Sequence, residues 1–204
     1  MSVRCLHVRE IVLDSALYLF AQNGYFNTSI PGIVSHSGVS TGSIYHHFSD
    51  KEEIARALYE RHVVQMDVLI NHIETQHHQV ELRCREIILA LFELTEKESM
   101  VMAYMLHTRH QEIMPDIVPV CSSRPFQRMR EVVQKGIDEG EIRQMDSMVA
   151  AVCIFGGALK FIQFQLDGIL EKSLAEYFDE LWNTSWASVK TNTDKNLENI
   201  RLEN

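Results

Sequence analysis

Residues 28–52 read TSIPGIVSHSGVSTGSIYHHFSDKE, and the rest of the chain takes its meaning from this stretch. Two short amphipathic segments are joined by Ser37-Gly38-Val39-Ser40. The first begins near Thr28-Ser29, where either hydroxyl can cap exposed N–H groups, and Thr28 is read as a helix cap. Pro31 is tolerated there because a first turn loses no hydrogen bond to it. Gly38 ends that segment and permits a sharp corner. Ser40 then caps a second short helix, and Ile33, Val34, Val39, Ile44 and Phe48 give the pair an apolar core. Two short helices around such a corner form a helix-turn-helix unit. Its second helix is tipped by Ser40, Thr41, Gly42 and Ser43, small hydroxylated residues that can approach phosphates and base edges closely.

The surroundings agree with this reading. Upstream, Val8, Ile11, Val12, Ala16, Leu19 and Phe20 recur at helical spacing until Asn23-Gly24, a helix-ending pair. Downstream, Ser49-Asp50-Lys51-Glu52 reads as a capping box, with Ser49 at the N-cap and Glu52 three residues on. It opens a long helix with apolar positions Ile54, Leu58, Met66, Leu69 and Ile73. Further helices are expected at about 80–95, 97–112, 124–139, 146–167 and 171–191, with Pro115, Pro119 and Pro125 marking one irregular connection. From Thr191 the chain turns polar and is expected to fray. No run alternates as a strand would. The expected fold is therefore all-α, about nine helices, with a three-helix head at 1–52, a larger helical body at 53–192 and a polar tail at 193–204.

The stretch from Thr28 to Glu52 closely resembles the DNA-binding signature of the tetracycline-repressor (TetR) family, approximately T-x-x-x-x-I-A-x-x-A-G-V-S-x-G-x-[IL]-Y-x-[HY]-F-x-[SD]-K-E. Asn23-Gly24-Tyr25 stands where that family ends its first helix, and the likeness covers roughly residues 5–60. The resemblance implies a repressor of double-stranded DNA, released from a palindromic operator by a small-molecule effector. It implies phosphate contacts from Thr28, Tyr45 and Lys51, places Thr41, Ser43 and His46 in or beside the major groove, and counts Ser40 and Gly42 among the DNA-binding residues. Two departures stand out: Val34 and Ser37 replace small alanines, and Thr41 stands where lysine or arginine is common. Val34 is expected to ease the two short helices apart.

The totals limit the alternatives. Of 204 residues, 46% are hydrophobic, and glycine (9) and proline (4) are scarce. The longest apolar run, Met148–Leu159, is shorter than the roughly 18 residues of a membrane span, and the first residues form no signal-peptide core. A cytoplasmic protein without membrane partners is expected. Cys5, Cys84, Cys121 and Cys153 form no C-x-x-C pair, which suits free thiols in a reducing compartment. In residues 1–51 three cations (Arg4, Arg9, Lys51) balance three carboxylates (Glu10, Asp14, Asp50), so the net charge of −9 lies entirely in the remainder. A neutral head on an acidic body offers a polyanion one end and no basic stripe.

In the body, Met100 to His107 is dense in methionine, a side chain that adapts its shape to varied apolar ligands as readily as it fills a core. Met102, Tyr104, Met105 and His107 are pocket candidates, as are Phe126, Phe161, Phe164 and Gln165 by the geometry the family resemblance implies. The small residues Ala150, Ala151, Gly156, Gly157 and Ala158, followed by Leu174, Phe178, Leu181 and Trp182, suit close helix packing. The resemblance makes these last helices a homodimer interface; covering the monomer core is the other reading. His107 and His110 stand three apart on an expected helix but lack a third metal ligand. No nucleophile motif, acid–base pair or phosphate loop is present, so neither an enzyme nor a cofactor is expected. Three alternatives stay open. One is an activator or corepressor-dependent regulator. Another is a metal- or thiol-dependent helical sensor using His107/His110 or Cys121. The third is an adaptor whose head binds no DNA.

Overall fold

In the computed structural model, which describes residues 3–191, the stripe Val12, Leu13, Ala16, Leu17 and Phe20 is buried along one side of α1 (Val3–Asn23). The helix stops as Gly24 takes φ +79° and its N–H donates to the Phe20 carbonyl at 3.0 Å. Then follow α2 (Ile30–Ser37), α3 (Thr41–His47), α4 (Lys51–Gln76), α5 (Val80–Lys97), α6 (Ser99–His107) and α7 (His110–Ile113). After a single 3-10 turn at Val120–Ser122 come α8 (Arg124–Asp138), α9 (Ser147–Leu166) and α10 (Leu174–Val189). The all-α expectation holds. Among the described residues there is no strand, only an isolated antiparallel bridge between Ile142 and Lys190.

Among the described residues ten α-helices stand where about nine were expected, because the expected helix at 97–112 is two. Thr108 is extended (φ −77°, ψ 131°), and the break turns His110 back onto the preceding helix. His110 is buried, its Nε2 lies 2.9 Å from the Tyr104 carbonyl, and its ring centre is 4.8 Å from those of both Tyr59 and Tyr104. The capping box also moves by one residue. Asp50 accepts from the Glu53 N–H at 2.8 Å, and the Glu53 carboxylate accepts from the Ser49 N–H at 2.6 Å. Glu52 instead pairs with Arg56 at 3.1 Å.

The chain forms two compact units. The first runs to Asp67 and adds Leu94–Arg124, so it holds α1–α3, most of α4, α6 and α7. Its core joins Ile33, Ile44, Phe48, Ile54 and Leu58 to Tyr104 and Met114. The connection after α7 is fastened to α4: Tyr59 donates to the Val118 carbonyl at 2.6 Å, and Arg56 grips Asp116 with two bonds of 2.7 and 3.1 Å.

The second unit combines Val68–Glu93 with the chain from Pro125. Met129, Val132, Val133 and Ile137 bury one face of α8, and a Cβ on Gly136 would meet Val80 and Ile142 at 2.8 Å. Glu141 accepts from the Val80 and Glu81 N–H groups, both at 3.0 Å, capping α5. Asp146 caps α9 in the same way. Ala150, Ala151 and Ala158 of α9 are buried, and Gly157 lets α10 approach, since a Cβ there would lie 3.1 Å from Leu181. By length and composition α9 could cross a membrane, although 33% of its apolar window is buried in the fold. The expected polar tail at 193–204 lies outside the described residues. Thr191, at its root, is bound rather than frayed: its N–H donates to the Glu141 carbonyl (3.1 Å) and its hydroxyl to that of Gly140 (2.7 Å).

Candidate nucleic-acid interface

The corner between α2 and α3 is built almost entirely from serine and glycine. Ser29, rather than Thr28, caps α2, its Oγ accepting from the Gly32 N–H at 3.2 Å. Gly38 sits at φ +70° and donates to the Val34 carbonyl at 3.0 Å, a conformation that costs an L side chain about 1–2 kcal/mol. Ser37 accepts from the Val39 N–H at 3.1 Å, so the corner is closed on both sides. Ser40 accepts from the Ser43 N–H at 3.2 Å, and the two hydroxyls lie 2.9 Å apart. Val34 and Val39 are half-buried against the core of this unit.

This capping aims α3. Ile44 and Phe48 are buried at 0% and 2% exposure, which turns Thr41, Gly42, Tyr45 and His46 outward together. Tyr45 is 53% exposed, and a Cβ on Gly42 would meet nothing within 4 Å. Ser40 is exposed and Ser43 half-buried at the same end.

Thr28 and Lys51 are placed differently. Thr28 is buried, and its hydroxyl lies within hydrogen-bonding reach of the carbonyls of Gly24 (2.9 Å) and Leu19 (3.2 Å). Lys51 donates to the carbonyls of Tyr25 and Thr28, both at 2.8 Å, with its ammonium 4.0 Å from the centre of the Tyr25 ring. It thus ties the start of α4 to the loop between α1 and α2. Partial burial lowers the pKa of Lys51. That of Tyr25 is raised by burial and by the nearby carboxylates of Glu52 and Asp50.

Charge around the head is arranged by residues that local patterns did not single out. Arg61 of α4 pairs with both Glu10 (2.8 Å) and Asp14 (2.9 Å), and Asp50 is occupied as a cap. From residue 28 to residue 48 no Asp, Glu, Lys or Arg occurs. The polar groups there are hydroxyls and the imidazoles of His36, His46 and His47; His36 stacks on the exposed ring of Tyr18 at 4.7 Å.

The residues singled out for a ligand fall into both units. Met102, Tyr104 and Met105 are buried in the first, and Tyr104 donates its hydroxyl to the Ala55 carbonyl at 2.8 Å. His107 is exposed. Because α6 ends between them, His107 and His110 do not share a helical face, and no group of three metal-ligating side chains occurs among the described residues. In the second unit Phe126 is half-buried, and Phe161 packs near Phe164 (6.3 Å) and Tyr177 (5.1 Å). Gln165 has a buried carbonyl oxygen without a hydrogen-bond partner. Cys84 is buried, Cys153 half-buried and Cys121 exposed.

Residues 12–58 match the model of the bacterial regulatory proteins of the tetR family. Over 52 residues the chain is 42% identical to the HTH-type transcriptional regulator AcrR of Shigella flexneri, a match spanning 26% of this chain and 24% of that protein. Across 186 residues it is 27% identical to the uncharacterized HTH-type transcriptional regulator YfiR of Bacillus subtilis, covering 83% and 80% of the two chains. The transcriptional regulator FadR of Bacillus subtilis, solved with stearoyl-CoA, shares the fold with a TM-score of 0.76 at 19% identity, covering 86% of this chain and 96% of FadR. Its helix-turn-helix stretch thus matches the tetR family of bacterial regulatory proteins, and the chain shares the fold of a solved transcriptional regulator along most of its length.

Proposed function

We propose that the protein is a cytoplasmic homodimeric repressor that holds a palindromic operator through two copies of α3 and leaves it when a small-molecule effector binds. The observation that carries the reading is the outward face of α3: Thr41, Gly42, Tyr45 and His46 stand in solvent over a closed core of Ile44 and Phe48. Ser40 and Ser43 flank them, and no carboxylate lies between residues 28 and 48 to repel a phosphate. Thr41, Ser43 and His46 then face the groove floor, Gly42 allows close approach, and Ser40 and Tyr45 reach phosphates. Thr28 supports this surface from within. Lys51 braces it with two of its three N–H donors and keeps the third for a phosphate at the edge of the head.

Two heads are needed because a single short recognition helix reads too few base pairs to bind tightly; a palindrome places half-sites roughly 34–36 Å apart. The exposed apolar residues Met148 (46%), Val149 (52%) and Val152 (61%) of α9 support a second copy as the occupant of that face. Gly156 adds to it, since a Cβ there would touch only Val152 of its own helix. The effector is proposed to be largely apolar, contacting residues among Met102, Tyr104, Met105, His107, Phe126, Phe161, Phe164 and Gln165. FadR's capture of stearoyl-CoA on the same fold supports an effector with a long apolar portion, such as that ligand's acyl chain. Release requires that the effector bind the DNA-incompetent arrangement more tightly than the competent one.

The test is fluorescence anisotropy with a palindromic duplex taken from beside the protein's own gene, at low salt. Tyr45→Ala and His46→Ala should each weaken binding about ten-fold, the loss of roughly one good contact, without shifting the melting temperature. Wild-type affinity in both variants would overturn the assignment of α3 as the reading helix.

A further inference from the structure

A cleft of about 400 Å³ opens in the first unit between the end of α1 and the break separating α6 from α7. Phe20, Tyr25 and Phe26 line one side, and Ala103, His107 and Ile113 the other. We propose that this cleft is a binding site for a small, uncharged, planar aromatic molecule.

Its size falls in the range of about 300–1,000 Å³ typical of small-ligand sites. The aromatic wall is not packed flat on itself. Phe20 and Tyr25 are tilted by 52° at 5.3 Å, and Tyr25 and Phe26 meet edge-on, at 84° and 5.4 Å. Phe20 is itself buried and stacked on Tyr104, and Lys51 lies over the Tyr25 ring, so the wall offers a further ring chiefly the exposed ring of Phe26. Phe26 is 71% exposed at the rim, the most exposed of the chain's large apolar side chains among the described residues. Charge defines the class. Arg109 and Glu112, the two formally charged residues of the lining, pair with each other at 2.9 Å, so neither sign predominates. An ionic ligand would lose hydration without a countercharge to replace it. His107 and Thr108 supply polar atoms that can orient a hydroxyl or ring nitrogen.

The place matters because Tyr25 is also the residue on which Lys51 rests, through its carbonyl at 2.8 Å and its ring at 4.0 Å. An occupant packed against Tyr25 and Phe26 bears on the loop that sets the start of α2 and the root of α4.

The probe is N-phenyl-1-naphthylamine, an uncharged aromatic amine whose fluorescence rises on entering an apolar site, titrated into the full-length protein without DNA. A saturable rise is expected. Ala103→Phe, which fills the cleft, should abolish it. Phe26→Ser, at an exposed rim position where folding is not at stake, should weaken it at least five-fold, while Ile169→Ser, at an exposed position in the other unit, should leave it unchanged. The anion 1-naphthoate should compete at least ten-fold more weakly than neutral 1-naphthol. Wild-type binding by Phe26→Ser, loss in Ile169→Ser alone, or equal competition by the anion would overturn the proposal. Because no DNA is present, either result leaves the operator-binding reading to its own test.

Discussion

The ammonium of Lys51 gathers two carbonyls and an aromatic ring from a loop more than twenty residues away, so one side chain closes the head where no backbone ladder does. Hydrogen bonds to a charged group contribute about 1.5–3 kcal/mol. Lys51→Met should therefore lower unfolding stability by about 2 kcal/mol in urea titrations, and it should weaken operator binding by more than its one phosphate contact accounts for. A variant that kept wild-type stability would show the clamp to be ornamental. His62 offers a second test. It is 5% exposed, its Nδ1 lies 2.8 Å from Oε1 of Gln65, and its Nε2 is buried without a hydrogen-bond partner. Burial, helped by the charge of Arg61 and opposed by the Gln65 contact and Asp14, lowers its pKa from 6.5 to about 4. The unfolded chain thus takes up this proton first. The stabilising contribution of neutral His62 is complete above pH 6.5 and is lost as pH falls from there towards 4, by at most about 1.4 kcal/mol per pH unit. Urea titrations of wild type and His62→Gln at pH 7, 6 and 5 should show the shallower pH dependence in the variant; equal slopes would remove His62 from the explanation.

At the scale of helices, the start of α4 shows how a cap is selected. Two residues at its start, Glu52 and Glu53, could supply the reciprocal carboxylate, and spacing from Ser49 favours the first. The fold uses Asp50 with Glu53, because a helix beginning at Lys51 places the Glu53 N–H above the Asp50 carboxylate. It also leaves Glu52 one turn before Arg56, whose guanidinium it meets together with Asp116. Asp50→Ala should then cost about 1 kcal/mol in chemical denaturation. Glu52→Ala, removing an exposed ion pair, should cost less than about 0.5 kcal/mol. The opposite ranking would return the cap to Ser49 and Glu52. The break between α6 and α7 has a comparable origin. Helical periodicity runs through Thr108, yet the ring of His110 finds a buried place between Tyr59 and Tyr104 only if the helix stops there.

For the whole molecule, association is the step on which operator binding is proposed to depend. If the outward face of α9 joins two copies, Val152→Glu places a carboxylate in an apolar contact and should yield a monomer in light scattering after size-exclusion chromatography. Operator affinity should fall at least a hundred-fold while the helical signal and melting curve stay close to wild type, because Val152 is 61% exposed in the single chain. A variant that remained dimeric would move the interface elsewhere.

The sequence by itself determined the all-α class, the helix-turn-helix and its likeness to the TetR signature, because these rest on caps, glycine corners and apolar spacing that act within four or five residues. It also marked Ser40, Thr41, Gly42 and Ser43 as the tip of the second short helix, while Tyr45 and His46 were singled out by the family resemblance. Tertiary structure alone decided that Thr28 faces inward, that Lys51 closes a loop, that Arg61 pairs with both Glu10 and Asp14, and that Met102 and Met105 are buried. Those outcomes depend on pairs as far apart as Arg61 and Glu10, 51 residues, and on which surfaces lose water, and no local periodicity carries that information.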